Sequence, residues 1–383
     1  SGGVPPKPPP AGDNSGFLTR AAKILPGLAL AGAVAQVGAV GAEWLGGAMM
    51  AAQGLGDGPS PISAVPVAIL LGLGINNLAL PVSALPVLQP GLRFCSKAVL
   101  QAGIVCVGAK LSAVEVMKLG AAGVPVVAAS IAAGLGSVLW LNARLGLPAR
   151  LGSLTAAGTS ICGVTAITAL APAIQANQQE VAYAVANVVA FGLFGMLAYP
   201  VAAHHLLDTS EQVGLFLGTA IHDTSQVMGA GLTYAQMYQD ETALKVAAVT
   251  KLMRNACLAA VIPALTYMHA SAGATARTPL TTLFPPFIFG FLAMAGLRSA
   301  GDATAGFGQM SEAQWKAATA AVGADASGQL LATAMAAVGL STSFSVFKGV
   351  GLKPFAVGMA GAAVVGLTGF TSALFLGKGI KYE

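Results

Sequence analysis

Long runs without a charged residue constrain this chain more than any other feature of its sequence. Residues 24–42 and 58–92 carry no charge, and 55% of all residues are apolar whereas only 9% are charged. Soluble domains carry about 25% charged residues, and about 20 apolar residues in helical form cross the hydrocarbon core of a bilayer. The chain is therefore predicted to be an all-α polytopic membrane protein embedded in a lipid bilayer.

The gaps between charged residues divide the chain into eleven predicted transmembrane spans. These spans are residues 24–42, 63–80, 97–111, 119–141, 150–174, 181–203, 212–235, 243–269, 283–299, 327–347 and 354–376. Residues 300–325 are predicted to contain an amphipathic interfacial helix. The predicted organisation is a disordered Pro-rich tail over 1–21, a first helix and loop over 22–58, and two five-helix halves over 59–206 and 207–383.

Two spans that lie five helices apart carry small polar residues beside glycine. Residues 151–174 contain hydroxyl groups between Gly158 and Gly163, and residues 328–351 contain hydroxyl groups after Gly339. Paired interrupted helices mark the binding site of many transporters. A unit with an odd number of spans ends on the opposite side of the membrane from where it began, so a second unit of five is inverted relative to the first. The sequence therefore predicts inverted five-helix repeats with two broken crossing helices. The alternative is that these small residues serve only helix packing.

A shorter similarity links two segments that are closer in the sequence. "GTSICGVTAI" (158–167) resembles "GTAIHDTSQV" (218–227) in its Gly-Thr-x-Ile opening and its later hydroxyl group. Only one predicted span separates the two segments, so they are not counted as the inverted repeat. They are interpreted as segments with similar backbone requirements.

Charged residues inside the predicted spans are the strongest candidates for function. A charge at the centre of a membrane helix costs about 2.5–3.5 kcal/mol, and Asp223, Lys251 and Arg254 all lie inside spans. Two interpretations stay open. One is a structural ion pair between the seventh and eighth spans, with the spare cation extending to the surface. The other is a cationic pocket for an anion, in which His222 and Asp223 couple transport to a proton or ion. Lys97 is interpreted as a residue that extends to the membrane surface.

Several classes of function lack their sequence motifs. The chain has no nucleotide-binding loop and no run of basic residues, and its cysteines show no metal-ligand spacing. The sequence therefore predicts no enzymatic activity and no catalytic residue, cofactor, metal or nucleic-acid partner.

Together, "GTSICGVTAITALAPAI", "GTAIHDTSQVMGAG", "VTKLMRNACLA" and "GLSTSF" resemble the YeiH-type sulfate exporter family across roughly residues 60–376. The resemblance implies kinship with sodium/proton antiporters and bile-acid symporters, whose inverted repeats carry broken helices that cross at the midplane. The sequence departs from the family pattern at Val164, where a polar residue is expected. The expected location is a bacterial inner membrane or, given the Pro-rich N-terminus, a plastid (chloroplast) membrane.

The residues and the resemblance together predict a secondary active transporter of a small inorganic or organic anion, sulfate or a related oxyanion, that works by alternating access. The predicted substrate-binding residues are Thr159, Ser160, Cys162, Gly163, Thr165, Gln226, Lys251, Arg254, Ser341 and Thr342. The predicted ion-coupling residues, for a proton or sodium, are His222, Asp223 and Thr224. Two alternatives stay open: a non-transporting membrane subunit or assembly factor, and a sodium/proton antiporter. A homodimer is also left open.

Overall fold

The computed structural model describes residues 14–52, 62–269, 285–304, 310–344 and 351–377, which form helices joined by short connections, with no β-strand among them. The helices are α1 (Asn14–Ala52), α2 (Ala64–Gly74), α3 (Leu85–Phe94), α4 (Leu100–Val107), α5 (Ala113–Arg144), α6 (Ala149–Ala157), α7 (Val164–Ala173), α8 (Gln178–Leu206), α9 (Ser210–Ala220), α10 (Thr224–Tyr238), α11 (Glu241–Ala256), α12 (Leu258–Met268), α13 (Pro286–Ala303), α14 (Glu312–Ala320), α15 (Ser327–Ser341) and α16 (Leu352–Leu376). Short π-helical turns follow α2, α3, α6 and α14 at Ile75–Ala79, Cys95–Val99, Gly158–Cys162 and Ala321–Ala326.

Six stretches of the described chain are long and apolar enough to cross a membrane. They are Thr19–Ala48, Leu85–Lys110, Ala113–Arg144, Gln178–Leu206, Glu241–Met268 and Leu352–Leu376. The all-α membrane class is therefore confirmed. The predicted number of eleven spans and the inverted repeat stay predictions, because several predicted spans consist of two shorter helices placed end to end.

The helices pack in two groups. In the first group α9 packs on α5, α11 and α16, α5 also packs on α11 and α16, and α8 packs on α6, α10 and α16. In the second group α1 contacts α2, α3 and α15, while α4 packs on α13 and α15. Glycine allows close backbone contact in the second group, since a Cβ on Gly72 would lie 2.8 Å from the Ala336 carbonyl oxygen. The candidate site lies where the two groups face each other.

Two boundaries differ from the sequence predictions. Helix α1 begins at Asn14, inside the predicted tail over 1–21, and residues 1–13 lie outside the described residues. The predicted interfacial helix is not separate, because α14, its π-helical turn and α15 form one unbroken helical rod over 312–341.

The prediction that residues 328–351 contain the second broken helix stays a prediction: α15 ends at Ser341, inside the predicted span, and the backbone is extended at Thr342. Helix α15 is continuous to Ser341, and Gly339 lies inside it against the backbone of α2. The end of α15 is held by Asn77, whose Nδ2 donates to the Thr342 carbonyl oxygen (2.9 Å). Residues 345–350 lie outside the described residues. Gly339 therefore serves helix packing, the alternative that the sequence left open.

Candidate functional site

The first interruption separates α6 from α7. Helix α6 ends in the π-helical turn Gly158–Cys162, and Gly163 follows with φ +67° and ψ −132° before α7 begins. Glycine is favoured in this backbone conformation because it has no Cβ. A Cβ at Gly163 would also lie 2.7 Å from Asp223 Oδ2. The first interruption thus touches a second one directly.

The second interruption separates α9 from α10, in the segment whose sequence resembles 158–167. The backbone is extended at Ile221 and Asp223, and Asp223 is the N-cap of α10. Its Oδ1 accepts hydrogen bonds from the Ser225 N–H (2.9 Å) and hydroxyl (2.6 Å). Gln226 Oε1 accepts from the Asp223 N–H (3.1 Å), which completes a capping box. The protein therefore fixes a carboxylate at this interruption.

Helix α11 places Lys251 between the two interruptions. The Lys251 side chain is fully buried, and its ammonium donates to the carbonyl oxygens of Ile161 (2.9 Å), Ile221 (3.1 Å) and His222. An ammonium has three N–H donors, so these three carbonyls use all of them.

Arg254, one helical turn further along α11, contacts the same two helix ends. It is also fully buried, and its guanidinium donates to the carbonyl oxygens of Ser160 (2.7 Å), Thr159 (2.5 Å), Ile221 (3.2 Å) and Thr219. The C-terminus of a helix carries about half a negative charge, and carbonyls without a donor are costly in a membrane. The two cations therefore stabilise the ends of both half-helices.

This arrangement does not match the predicted ion pair. The ion pairs found among the described residues lie elsewhere, and none joins Asp223 to Lys251 or Arg254. The backbone carbonyls, rather than the carboxylate, neutralise the two cations.

A cavity of about 610 Å³ lies next to the interruptions. Its first wall is Cys162, Val164, Thr165, Thr168, Asp223 and Thr224. Its second wall is Ser96, Lys97, Leu100, Gln101 and Ile104, from the π-helical turn Cys95–Val99 and from α4. Asn255, Leu258 and the start of α13 close the remaining side. The two walls come from the two different helix groups.

Lys97 gives the second wall its charge. It lies on the π-helical turn Cys95–Val99, near the centre of the apolar stretch Leu85–Lys110, and its side chain is exposed to the cavity. No ion pair to Lys97 occurs within the described ranges. The interpretation that Lys97 extends to the membrane surface stays a prediction, and its place in the cavity wall makes its charge available to a ligand.

The N-terminus of α7 adds a second source of positive potential. No side chain caps this helix, so the N–H groups of Val164 and Thr165 have no acceptor in the part of the chain that the structure describes. Both residues line the cavity. A helix N-terminus carries about half a positive charge and binds anions through such free N–H groups. The cavity can thus contact an anion from both walls.

Comparison with known proteins places the chain in a family. Residues 26–358 match the family model described as Conserved hypothetical protein 698. The chain belongs to this family. The predicted YeiH-type membership is thereby confirmed, while the relationship to antiporters and bile-acid symporters stays a prediction. No solved structure shows a significant match.

Curated relatives of this chain are named as membrane proteins. A UPF0324 membrane protein of Nitratidesulfovibrio vulgaris is 30% identical over 321 residues, which are 81% of each chain. UPF0324 membrane protein RSc1111 of Ralstonia nicotianae is 31% identical over 92% of this chain and 94% of its own length. UPF0324 membrane protein TauZ of Paracoccus pantotrophus is 31% identical over 74% of this chain and 85% of its own.

The structure of this family member divides the predicted site residues into three sets. Cys162, Thr165, Asp223 and Thr224 line the cavity. Outside its lining, but at or beside the interruptions, are Thr159, Ser160, Gly163, His222, Gln226, Lys251 and Arg254. Ser341 and Thr342 lie at the end of α15, outside the cavity lining. The functions assigned to these residues stay predictions.

Lys97 and Asn255 are among the cavity residues that the sequence did not predict as site residues. Lys97 could have been found, because a lysine at the centre of an apolar span is a candidate for function by its cost alone. Asn255 follows Arg254 directly and shows no pattern of its own. Its Nδ2 donates to Thr224 Oγ1 (3.2 Å), a contact between helices that no spacing in the sequence reveals.

Proposed function

We propose that this protein is a secondary active transporter that carries a small anion through the cavity beside the two interruptions. The observation that supports the proposal most is the pairing of Lys97 with the uncapped N-terminus of α7 across one cavity. A cationic side chain and free backbone N–H groups are the usual means of holding a carboxylate, sulfate or sulfonate.

The electrostatics around the cavity favour an anion over a cation. Lys97, Lys251 and Arg254 outnumber Asp223, the charged partner near them in the described chain. Lys251 and Arg254 donate to backbone carbonyls and do not line the cavity. They favour an anion indirectly, because they offset the negative potential of two helix C-termini that would otherwise repel it.

The position of the cavity supports alternating access. One wall belongs to the interrupted helices and the other to the π-helical turn Cys95–Val99 and α4, and these belong to different helix groups. A shift of one group against the other would carry Asp223 and the α7 N-terminus past Lys97. The bound anion would then face the opposite side of the membrane.

Asp223 keeps a sodium/proton antiporter as the second candidate, since a carboxylate in a membrane cavity can bind either ion. Six carbonyl oxygens at the interruptions, which could complete a sodium site, already accept from Lys251 and Arg254. We therefore place the antiporter second.

Uptake into proteoliposomes tests the proposal. The purified protein is assayed with radiolabelled sulfate and small carboxylates and sulfonates, as wild type, Lys97→Met and Lys118→Met. Lys118 is exposed on α5 and lies outside the cavity lining, so it is the matched control. We expect Lys97→Met to lower anion uptake about tenfold or more, the effect of losing one charge-assisted hydrogen bond, and Lys118→Met to leave uptake unchanged.

The other outcomes separate the alternatives. Equal uptake by all three proteins would remove Lys97 from the site. Sodium flux driven by a pH gradient, without uptake of any anion, would establish the antiporter instead. Absence of both fluxes would favour a non-transporting subunit.

A further inference from the structure

One side of the cavity presents hydrogen-bond acceptors that lack donors. Asn255 lines the cavity but is only 2% exposed, and its Oδ1 has no hydrogen-bond partner among the described residues. Its Nδ2 donates to Thr224 Oγ1 (3.2 Å). Buried acceptors are almost always paired. This Oδ1 is enclosed in the cavity wall, so the amide must turn toward the cavity for a ligand to supply the missing donor.

Asp223 stands beside this acceptor. Its Oδ1 accepts from the Ser225 N–H and hydroxyl, whereas Oδ2 lies against Gly163 and accepts no hydrogen bond within the described chain. Asp223 also neighbours Thr224, the residue that Asn255 contacts. An anionic and a neutral acceptor thus occupy one side of a cavity whose other contacts, Lys97 and the N-terminus of α7, are donors.

A sodium ion is a poor match for these acceptors. Sodium in unwound membrane helices is usually coordinated by the freed backbone carbonyls. Here Lys251 and Arg254 already donate to those carbonyls, three at each interruption. The acceptors that stay free suit a donor group that arrives with the substrate.

We propose that the substrate is a small zwitterionic organic acid, an inference that rests on the proposed function, because it is the anionic group of the substrate that Lys97 and α7 hold in this cavity. Its carboxylate or sulfonate contacts Lys97 and the free N–H groups of α7, and its ammonium donates to Asp223 and Asn255. The cavity of about 610 Å³ is far larger than a bare oxyanion and lies in the range of sites for organic ligands. Leu100, Ile104, Leu258 and Phe287 provide apolar walls for a short carbon chain.

Matched substrate pairs test this assignment in proteoliposomes. The pairs are 3-aminopropanoate with propanoate and 2-aminoethanesulfonate with ethanesulfonate, with sulfate as the inorganic anion. We expect the wild type to take up each zwitterion about tenfold or more faster than its ammonium-free partner. In Asp223→Asn, zwitterion uptake should fall and uptake of the ammonium-free anion should rise, since a repelling charge is gone. The ratio of zwitterion uptake to uptake of its ammonium-free partner should drop at least about tenfold.

Asn255→Leu provides a second variant, because it removes the free acceptor and keeps a similar volume. It should lower the zwitterion preference in the same direction. In detergent, 3-aminopropanoate should raise the thermal unfolding midpoint of the wild type more than that of either variant.

Each contrary result has a distinct meaning. Equal uptake of both members of each pair by the wild type, or an equal fall of both in Asp223→Asn, would overturn the zwitterion assignment and leave anion transport standing. Uptake of none of the five compounds would overturn both.

Discussion

The two interrupted helices are similar on one side of each break and different on the other. Before the break, both read Gly-Thr-x-Ile; Arg254 binds the Thr carbonyl of each motif and Lys251 binds the Ile carbonyl of each. At the break itself, Gly163 in one segment corresponds to Asp223 in the other, and the two residues touch.

This difference shows how one backbone requirement can serve two tasks. The two half-helix C-termini need cations, and one helix supplies both of them. The two half-helix N-termini have diverged: α7 is uncapped and presents free N–H groups, while α10 is capped by a carboxylate that also lines the cavity. In our account, the first attracts the negative end of a substrate and the second its positive end.

Removal of Arg254 should have the largest effect on stability, because Arg254 donates hydrogen bonds to the carbonyl ends of both interrupted helices. Arg254→Leu leaves carbonyls at both helix ends without donors, and we expect a loss of about 3–5 kcal/mol in unfolding free energy. Thermal or denaturant unfolding in detergent measures it. Arg254→Lys keeps the positive charge but lacks the planar guanidinium, so its unfolding free energy should lie between those of the wild type and Arg254→Leu. An unfolding midpoint unchanged in Arg254→Leu would show that the cations do not support the crossing.

Gly163→Ala should have the next largest effect, because it forces a side chain into the contact between the breaks. The positive φ costs about 1–3 kcal/mol for a residue other than glycine, and the new Cβ would meet Asp223 Oδ2. We expect lower stability and loss of anion uptake. Gly136→Ala on α5 is the control, since a Cβ there meets nothing within 4 Å, and it should change stability by at most about 1 kcal/mol. Normal uptake by Gly163→Ala would contradict the assignment of this contact to the site.

Asp223→Ala should have a smaller effect on stability. It removes the side-chain cap of α10, the feature that distinguishes this half-helix from the uncapped α7. Loss of an N-cap costs about 1 kcal/mol, whereas Asp223→Asn keeps a capping oxygen and should unfold close to the wild type. The two variants are compared by thermal unfolding in detergent. Equal destabilisation of both would mean that the charge of Asp223, rather than its capping geometry, stabilises α10.

The sequence predicted the membrane class, the first interruption and the burial of the ionic residues on α11. The sequence placed Lys251 and Arg254 inside a span, and the structure finds both of them fully buried on α11. The sequence could not reveal their partners, because backbone carbonyls about 30 and 90 residues away carry no side-chain signature.

The interruption between α9 and α10 was not predicted as a broken helix. Its segment, 218–227, shares the Gly-Thr-x-Ile opening of 158–167 and was interpreted only as a segment with similar backbone requirements. In the structure both segments lie at helix interruptions, and Gly163 of one touches Asp223 of the other. The pairing of 151–174 with 328–351 as an inverted repeat stays a prediction, while Gly339 itself lies within α15 against α2.

The position of a bound anion would show directly whether Lys97 and the N-terminus of α7 form the anion-binding site. Selenate is an isostere of sulfate whose selenium scatters anomalously, so crystals of the protein soaked in it would locate the anion without a model of the cavity. We expect an anomalous peak within hydrogen-bonding distance of Lys97 Nζ and the N–H groups of Val164 and Thr165. A peak beside Lys251 and Arg254, with none at Lys97, would contradict this expectation.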